Sequence, residues 1–353
     1  MSARTTPEGG DPVEAPRGRP TLRDVAQVAG VSPKTVSRVV NGEPGVSAPV
    51  RREVRRIVAE LGYRPDRSAS NLRRTDRRTG LVGALLQDVA NEFSSGMLRS
   101  ITDVAHRRGA VVLTASIDEE PARERQLVRD LLDRQVDGLV MMPATERQDY
   151  LSAEQEGLPV VFVDRRPVGL EADVVTVDNH GAARHAVEHL LAHGHRRIGL
   201  LGDLLTISTA QERLAGALGA LRTAGVPGDG DLVAFDLRDE ADAIGAASRM
   251  LGSFDPPTAL VAMRFSATYG AVRTLRALGA AHRVALVGFD DFALADLMQP
   301  PVTVVRQDVP RIGEEAARLL FARIDGDASA WQHVVVPHQL VQRGSGEIRG
   351  PEG

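Results

Sequence analysis

Apolar residues recur at helical spacing in three short segments between residues 21 and 62. In the first segment, Leu22, Val25, Ala26 and Ala29 stand at i, i+3, i+4 and i+7, so they share one face of a helix. Thr21 is placed to cap that helix. A glycine then interrupts the pattern, which predicts a short turn before a second helix.

The second segment has an apolar face and a cationic face. Ser32 and Pro33 mark its beginning, and Val36, Val39 and Val40 are predicted to point to the core. The opposite face carries polar residues at i, i+3, i+4 and i+7, namely Lys34, Ser37, Arg38 and Asn41. Two helices joined by a short turn form a helix-turn-helix, whose second helix enters the DNA major groove.

The third segment predicts a longer helix with Ser47 at its N-cap. Its apolar stripe consists of Val50, Val54, Ile57, Val58 and Leu61. Four arginines lie off this stripe, and we expect some of them near phosphates: Arg51, Arg52, Arg55 and Arg56.

From residue 81 onward, short apolar runs alternate with amphipathic segments. Strands are predicted at 81–86, 111–114, 138–142, 160–163, 174–177, 198–201, 232–235, 259–262 and 284–288. This βαβα order predicts parallel sheets covered by helices. Because about 200 residues exceed one typical sheet, we expect two α/β lobes with a ligand cleft between them.

Charge is distributed unevenly along the chain. The net charge is −4, yet residues 17–78 hold 15 basic and 6 acidic residues, a net of +9. A basic N-terminal module on an acidic body is typical of nucleic-acid binding. A charged helical surface that binds nothing would give the same charge balance. The helical pattern of residues 21–62 must therefore decide between this alternative and nucleic-acid binding.

Several function classes are excluded or disfavoured by composition. Cysteine is absent, which excludes disulfides, cysteine nucleophiles and thiolate metal sites. The single lysine, Lys34, follows a proline, so there is no P-loop; nor is there a G-x-S-x-G or H-E-x-x-H motif. We therefore predict neither an enzyme nor a cofactor.

The first 20 residues lack a signal peptide and no apolar run reaches ~18 residues, so a soluble, cytoplasmic protein is expected.

Three histidines on one predicted helix raise the question of a metal. His185, His189 and His193 stand at i, i+4 and i+8, a spacing that can bind zinc. No carboxylate or cysteine at ligand spacing completes the set, so no metal site is predicted.

Residues 21–41, 46–47 and 61–65 resemble the DNA-binding headpiece of the LacI/GalR (lactose-repressor/galactose-repressor) family of bacterial transcriptional regulators. Residues 65–72 resemble the hinge helix of that family. The resemblance implies that the base-reading residues are Pro33, Lys34 and Arg38. It places backbone contacts at Thr21, Ser37, Asn41 and Ser47, and it implies minor-groove insertion by Ala69 and Leu72.

The remaining chain resembles the periplasmic-binding-protein-like effector core of the same family, at residues 135–138, 177–179, 194–198, 213–216 and 287–291. The resemblance implies an effector site formed by Asp88, Phe93, His180, Thr209, Arg213, Arg264 and Asp290. Two alternatives stay open: Arg213 and Asp290 could form an ion pair, and Phe93 could be a core residue.

Two departures from the family pattern bear on the effector. Met263 and Arg264 stand where sugar-binding members often carry Asn-Asp, and Ile207 stands where purine-binding members carry an arginine. A simple hexose and a purine therefore both fit poorly. If Arg264 faces the cleft, it favours an acidic ligand such as a sugar acid or a sugar phosphate.

The expected organisation follows. Residues 1–20 form a disordered tail, 21–64 the helix-turn-helix domain, 65–79 the hinge helix and linker, 80–343 the core, and 344–353 a second tail. Lobe 1 is expected at about 80–177 and 306–326, and lobe 2 at about 178–305 and 331–343.

The expected function is a transcriptional repressor that binds a pseudo-palindromic operator as a homodimer under control of a sugar-like effector. The alternative is a solute-binding protein without a regulatory role.

Overall fold

The computed structural model describes residues 20–63, 78–144, 147–154, 157–228 and 230–351, without the side chains of 152–154. The chain divides into two compact units, Met1–Thr79 and Gly80–Gly353. The predicted N-terminal tail, apart from Pro20, and most of the predicted hinge segment lie outside the described residues.

Three helices form the described part of the first unit: α1 (Leu22–Val28), α2 (Pro33–Val40) and α3 (Ala48–Glu60). Thr21 Oγ1 accepts a hydrogen bond from the backbone N of Asp24 at 3.3 Å, and the Asp24 carboxylate accepts one from the backbone N of Thr21 at 2.7 Å. This reciprocal capping satisfies amide groups that the first turn leaves free. Ser32 caps α2 by accepting from the backbone N of Thr35 at 3.1 Å. Both predicted N-caps are confirmed.

The N-cap of α3 differs from the prediction. Ser47 occupies the N-cap position, but its side chain makes no capping hydrogen bond. Pro49, the second residue of the helix, has no backbone N–H to donate, which removes one of the two usual partners of a capping side chain.

The apolar stripes of the three helices meet in one small core. Val25, Val36, Val39, Val54 and Ile57 are all buried in it. Each such side chain contributes roughly 1.5–3 kcal/mol by leaving water, so this unit has its own hydrophobic centre.

Six parallel strands form the first sheet of the second unit. They are β1 (Leu81–Leu86), β2 (Val111–Ser116), β3 (Gly138–Met141), β4 (Val160–Val163), β5 (Asp173–Val177) and β11 (His333–Val336). Their order across the sheet is β11-β5-β4-β3-β1-β2. We call this sheet, with the helices that pack on it, lobe 1.

The second sheet has the same strand order as the first, because equivalent strands occupy equivalent places across it. It contains β6 (Ile198–Leu201), β7 (Val233–Ala234), β8 (Ala259–Ala262), β9 (Ala285–Phe289), β10 (Thr303–Gln307) and β12 (His338–Val341), arranged β12-β10-β9-β8-β6-β7. Its pairs are parallel except β10 with β12, which is antiparallel. This sheet and its helices form lobe 2.

Helices cover both faces of each sheet, as predicted. Lobe 1 has α4 (Glu92–Arg107), α5 (Pro121–Asp133), α6 (Asp149–Glu154) and α11 (Val309–Ile324). Lobe 2 has α7 (Asn179–Ala192), α8 (Ser208–Thr223), α9 (Glu240–Leu251) and α10 (Phe265–Ala277), with a 3₁₀ turn at Gly230–Leu232. Each lobe has an apolar core on either side of its sheet.

The chain passes between the lobes after β5, after β10 and between β11 and β12. The predicted boundaries are wrong at the last crossing, because His333–Val336 pairs with β5 and belongs to lobe 1 rather than lobe 2. The crossing before α11 falls after Gln307, two residues later than predicted. A run of valines indicates a strand but does not indicate which of two similar sheets it joins.

The predicted tail at 344–353 is wrong for its described part. Ser345 is buried; its hydroxyl donates to the carbonyl O of Leu286 at 2.6 Å and accepts from the backbone N of Thr303 at 2.9 Å. Residues 344–350 therefore pack as a component of lobe 2. A short segment without hydrophobic periodicity gives no signal of such docking.

Within the described residues, no helix is both long enough and apolar enough to cross a membrane.

Candidate DNA-binding surface and effector cleft

The polar face of α2 is available at the surface of the first unit. Pro33, Lys34 and Asn41 are exposed, whereas Ser37 and Arg38 are half-buried. Asn41 Nδ2 donates to Ser37 Oγ at 3.4 Å, so the two predicted backbone-contacting side chains lie together. This face carries long cationic donors on a rigid helix, as base reading in a major groove requires.

One concave surface brings two of the predicted base-reading residues together with one of the predicted backbone-contacting residues. Lys34, Arg38 and Ser47 all line it, together with Gly45 and Val46 from the loop before α3. The loop and α2 therefore present their donors on the same side of the unit.

The arginines of α3 are not equivalent. Arg56 is held by carboxylates on its own helix, with Nη2 at 2.6 Å from Glu53 Oε1 and Nη1 bonded to Glu60. Arg51 donates to the carbonyl O of Val46 at 3.2 Å. The expectation of phosphate contacts therefore fits Arg56 poorly, because two carboxylates already balance its charge.

The predicted minor-groove residues Ala69 and Leu72 lie outside the described residues.

Arg213 is the most firmly held of the predicted effector residues. It is buried on α8, where Nε donates to Asn179 Oδ1 and Nη1 donates to the carbonyl O of Met263, both at 2.7 Å. Its guanidinium lies 4.7 Å from the centre of the Phe289 ring. These contacts fix the orientation of the guanidinium before any ligand arrives.

A glycine allows α8 to lie this close to α7. A Cβ atom at Gly216 would clash with the carbonyl oxygen of His180. The R-L-A-G sequence thus combines the arginine predicted to contact the effector with the close helix packing that positions it.

Asp290 follows directly after β9 with a left-handed backbone, φ 65. Its Oδ1 accepts from Gln307 Nε2 at 2.7 Å. Burial raises the pKa of Asp290, while the Arg213 guanidinium and the Gln307 hydrogen bond oppose the rise. Within the described residues no ion pair joins Arg213 to Asp290, so the alternative of a closed ion pair is not what the structure contains.

Asp164 is a buried candidate for the effector site that the sequence reasoning missed. It follows directly after β4 of lobe 1, is buried, and also has φ 65. Burial raises its pKa; Arg165 and the lobe 2 residue Arg213 lower it, and Asp290 raises it further. Side chains of both lobes therefore lie within electrostatic range of each other. The sequence signal that could have identified Asp164 is its position at the carboxyl end of a predicted strand, where ligands bind in α/β sheets.

Asp164 belongs to a largely buried group of charges in which its Oδ2 lies 3.6 Å from Arg165 Nε. Arg165 donates from Nη1 and Nη2 to the two carboxylate oxygens of Glu119, at 2.7 and 2.5 Å, and from Nη1 to the carbonyl O of Pro143 at 2.8 Å. Glu119 has a left-handed backbone, φ 58, which is uncommon for a side chain of this kind. Neither residue carried a sequence signal.

Arg264 is paired rather than free. Its Nη1 lies 2.5 Å from Asp203 Oδ1 and 3.2 Å from the carbonyl O of Leu237. Both side chains of the pair are largely buried. Since Asp203 already balances its charge, the geometry does not support the expectation that Arg264 selects an acidic ligand.

The other predicted effector residues are more scattered. Thr209 is buried in the first turn of α8, and His180 is exposed in the first turn of α7. Asp88 Oδ1 accepts from the backbone N of Ala90 at 2.9 Å. Phe93 packs against the core of lobe 1, which favours its core interpretation. No hydrogen bond or ion pair in the described chain joins Asp88, Phe93 or His180 to Arg213.

The histidines of α7 do not form one cluster. His185 Nδ1 lies 2.9 Å from His338 Nε2, whereas the rings of His189 and His193 are 4.4 Å apart. Among the described residues, no group of three or more histidine, aspartate or glutamate side chains is placed to hold a metal ion.

Comparison with known proteins identifies both units. The family of bacterial regulatory proteins named lacI matches residues 21–66, and the periplasmic binding protein-like domain matches residues 187–346. The HTH-type transcriptional regulator CelR of Thermobifida fusca is 34% identical over 340 residues, covering 94% of this chain and 99% of CelR. The HTH-type transcriptional regulator DegA of Bacillus subtilis is 31% identical over 335 residues, covering 92% and 97%.

The chain belongs to the LacI family. Its LacI-family relatives are transcriptional regulators and not enzymes, as the sequence predicted. A lac repressor dimer bound to operator and the anti-inducer ONPF is similar in structure, with a TM-score of 0.82 and 28% identity over 93% of this chain and 99% of that one. A CelR–cellobiose complex has a TM-score of 0.69 and 32% identity over 93% and 100%. The predicted fold, a helix-turn-helix headpiece with a periplasmic-binding-protein-like core of two lobes, is confirmed.

Proposed function

We propose that this LacI-family regulator is a cytoplasmic repressor that binds a pseudo-palindromic operator as a homodimer, and that a neutral, sugar-like effector between the lobes controls its operator affinity. The observation that carries the effector part is Arg213, which is held rigidly in lobe 2 within electrostatic range of Asp164 in lobe 1 and Asp290 in lobe 2.

DNA recognition rests on the polar face of α2. Arg38 offers two parallel N–H donors to guanine O6 and N7, and Lys34 reaches a guanine or a phosphate. The sugar-phosphate backbone of DNA is contacted by Ser37, Asn41, Thr21 and Ser47. The minor groove is entered by Ala69 and Leu72. Two headpieces related by a two-fold axis read two half-sites of matching symmetry.

The effector class follows from which cleft groups are already paired. Arg264 is paired with Asp203, and Arg165 is paired with Glu119 and also lies 3.6 Å from Asp164. Asp290, in contrast, has no ion pair with a cation in the described chain and accepts a hydrogen bond from Gln307. Buried carboxylates beside a fixed guanidinium bind hydroxyl groups, which can both donate and accept. This arrangement favours an uncharged polyol over a sugar acid. The similar CelR structure contains cellobiose, which supports a saccharide.

Coupling between the cleft and DNA requires two states of the lobes. A ligand that contacts both lobes binds the closed arrangement more tightly than the open one, and so shifts the population toward closure. The three chain crossings after β5, after β10 and between β11 and β12 are where the backbone bends during such a motion. The alternative, a solute-binding protein without regulation, leaves the cationic headpiece without a role.

Selection of binding sites from random duplex DNA by the full-length protein tests the proposal, with and without a panel of neutral and acidic sugars. A two-fold symmetric motif is expected, and an effective neutral sugar changes its enrichment. Arg38→Ala abolishes base preference at one position of each half-site. Arg56→Ala, which removes an arginine already held by Glu53 and Glu60, retains the motif. Absence of any motif contradicts the regulator proposal, and a response to acidic sugars alone contradicts the effector class.

A further inference from the structure

The end of the recognition helix brings a carboxylate to the predicted base-reading arginine. Gly42, just beyond α2, has a left-handed backbone with φ 72. The backbone N of Glu43 donates to the carbonyl O of Arg38 at 2.9 Å, and that of Gly42 donates to the carbonyl O of Val39 at 3.3 Å. This pair of bonds is the Schellman motif, which places the side chain following the glycine beside the third residue from the helix end.

In this protein the side-chain contact of that motif is an ion pair. Arg38 Nε lies 3.8 Å from Glu43 Oε2, and the two side chains are 43% and 51% exposed. The two side chains lie close together because the backbone turn places Glu43 next to Arg38.

The side from which Glu43 approaches Arg38 determines which N–H groups of the guanidinium remain available to DNA. Glu43 approaches the Nε side of the guanidinium, so the N–H groups on the two terminal nitrogens stay available to an external acceptor. Guanine presents two acceptors, O6 and N7, at the spacing that a guanidinium fork can match. An arginine restrained in this way loses less freedom on meeting a guanine than an unrestrained arginine does.

We propose that Glu43 is a positioning residue that restrains Arg38 for guanine and thereby raises the sequence discrimination of the headpiece. The inference rests on the proposed base-reading role of Arg38. The same carboxylate repels phosphates and so weakens binding to DNA of any sequence. Because that repulsion weakens specific and non-specific binding alike, only the restraint on Arg38 changes the ratio between them.

The test compares Glu43→Gln with Glu60→Gln in the full-length protein. Both substitutions remove one negative charge from the headpiece, but Glu60 contacts Arg56 rather than Arg38. Affinity is measured by fluorescence anisotropy for the selected operator, for the same operator with the guanine read by Arg38 replaced, and for a scrambled duplex. Only Glu43→Gln should reduce the preference for guanine, by about two- to five-fold, as expected for loss of an exposed ion pair. Equal discrimination in the two variants overturns the proposal.

A second variant separates positioning from direct readout. Lysine keeps the charge of Arg38 but lacks the guanidinium fork. In an Arg38→Lys background, Glu43→Gln should leave the remaining base preference unchanged; a further loss means that Glu43 itself reads the DNA and overturns its positioning role. If Arg38→Ala retains full discrimination, the proposed function is wrong. If Arg38→Ala loses discrimination while Glu43→Gln behaves like Glu60→Gln, only the role of Glu43 is wrong.

Discussion

Asp164 and Asp290 occupy the same position in the two lobes. Each directly follows the third strand of its sheet, counted from the edge strand β11 or β12, and each has φ 65. A left-handed backbone is uncommon for residues other than glycine and costs free energy, and such residues cluster at binding sites. The two lobes therefore carry matching carboxylates at equivalent strand ends, each on a left-handed backbone.

Asp164→Asn should stabilise the protein near neutral pH and weaken effector binding. Burial raises the pKa of Asp164 above 3.8, so the ionised form is disfavoured in the folded state. Stability is therefore lost as pH rises from 3.8 through the folded-state pKa, and asparagine avoids that loss. Thermal unfolding at pH 7 should show a higher Tm for the variant, by roughly 2–4 °C for each kcal/mol gained, with the gain shrinking toward pH 4. An unchanged or lower Tm at pH 7 contradicts the prediction.

Asp203→Asn should change the charge preference of the cleft. The substitution releases Arg264 from its 2.5 Å contact and leaves a partly buried cation. A carboxylate-bearing ligand can then supply the missing charge, and its affinity should rise about tenfold or more, since a hydrogen bond to a charged group contributes roughly 1.5–3 kcal/mol.

Calorimetry with the effective neutral sugar and its acid form measures this change. Asp255→Asn provides the matched control, because Asp255 pairs with Arg197 at 3.1 Å on the surface. A rise in acid affinity in both variants would show that net charge, and not the release of Arg264, is responsible.

Ser345→Ala should destabilise the second unit. The hydroxyl satisfies both the carbonyl O of Leu286 and the backbone N of Thr303 in a buried setting. Its removal leaves both backbone groups without this partner, at a cost of about 1–3 kcal/mol in the free energy of unfolding. Urea unfolding measures the loss. Ser248→Ala, at an exposed site in α9, should leave stability unchanged or slightly higher.

His195 should make the second unit sensitive to mild acid. It is buried, with Nδ1 2.9 Å from Thr258 Oγ1 and Nε2 2.8 Å from the carbonyl O of Ile348. Burial lowers its pKa below 6.5, so the unfolded chain binds the proton more tightly. Stability therefore falls as pH falls from 6.5 through the lowered folded-state pKa.

Unfolding curves between pH 7.5 and 5 test this expectation. His195→Gln should flatten the pH dependence, whereas His282→Gln, at an exposed position, should retain it. An identical slope in wild type and His195→Gln would assign the acid sensitivity to other groups.

The three helices of the first unit were predictable because their signals are local. Thr21 with Asp24, and Ser32 with Pro33, act within one turn of chain, and the apolar stripes need only helical periodicity. The missing cap hydrogen bond at Ser47 also has a local cause, Pro49, which the sequence contains. The strand β1 at Leu81–Leu86 agrees with its prediction for the same reason, as a bounded apolar run.

The cleft was predictable only in part. Arg213 and Asp290 were predicted as effector residues through the family resemblance, and that role stays a prediction. Asp164, Arg165 and Glu119 were missed because they come together only when separate strand ends meet. Arg264 was predicted to contact the effector and to favour an acidic ligand, but its partner Asp203 lies 61 positions earlier, and that pairing argues against the predicted ligand charge.

The sequence by itself determined the family, the helices of the headpiece, the cationic face of α2 and the alternation of strands and helices in the core. Each of these depends on spacing along the chain, where periodicity and capping act over a few residues. Tertiary structure decided which sheet receives His333–Val336, where residues 344–350 dock, and which charges in the cleft are already paired. These outcomes depend on contacts between residues far apart in sequence, and in the cleft a partner's position determines whether a charge is available to a ligand.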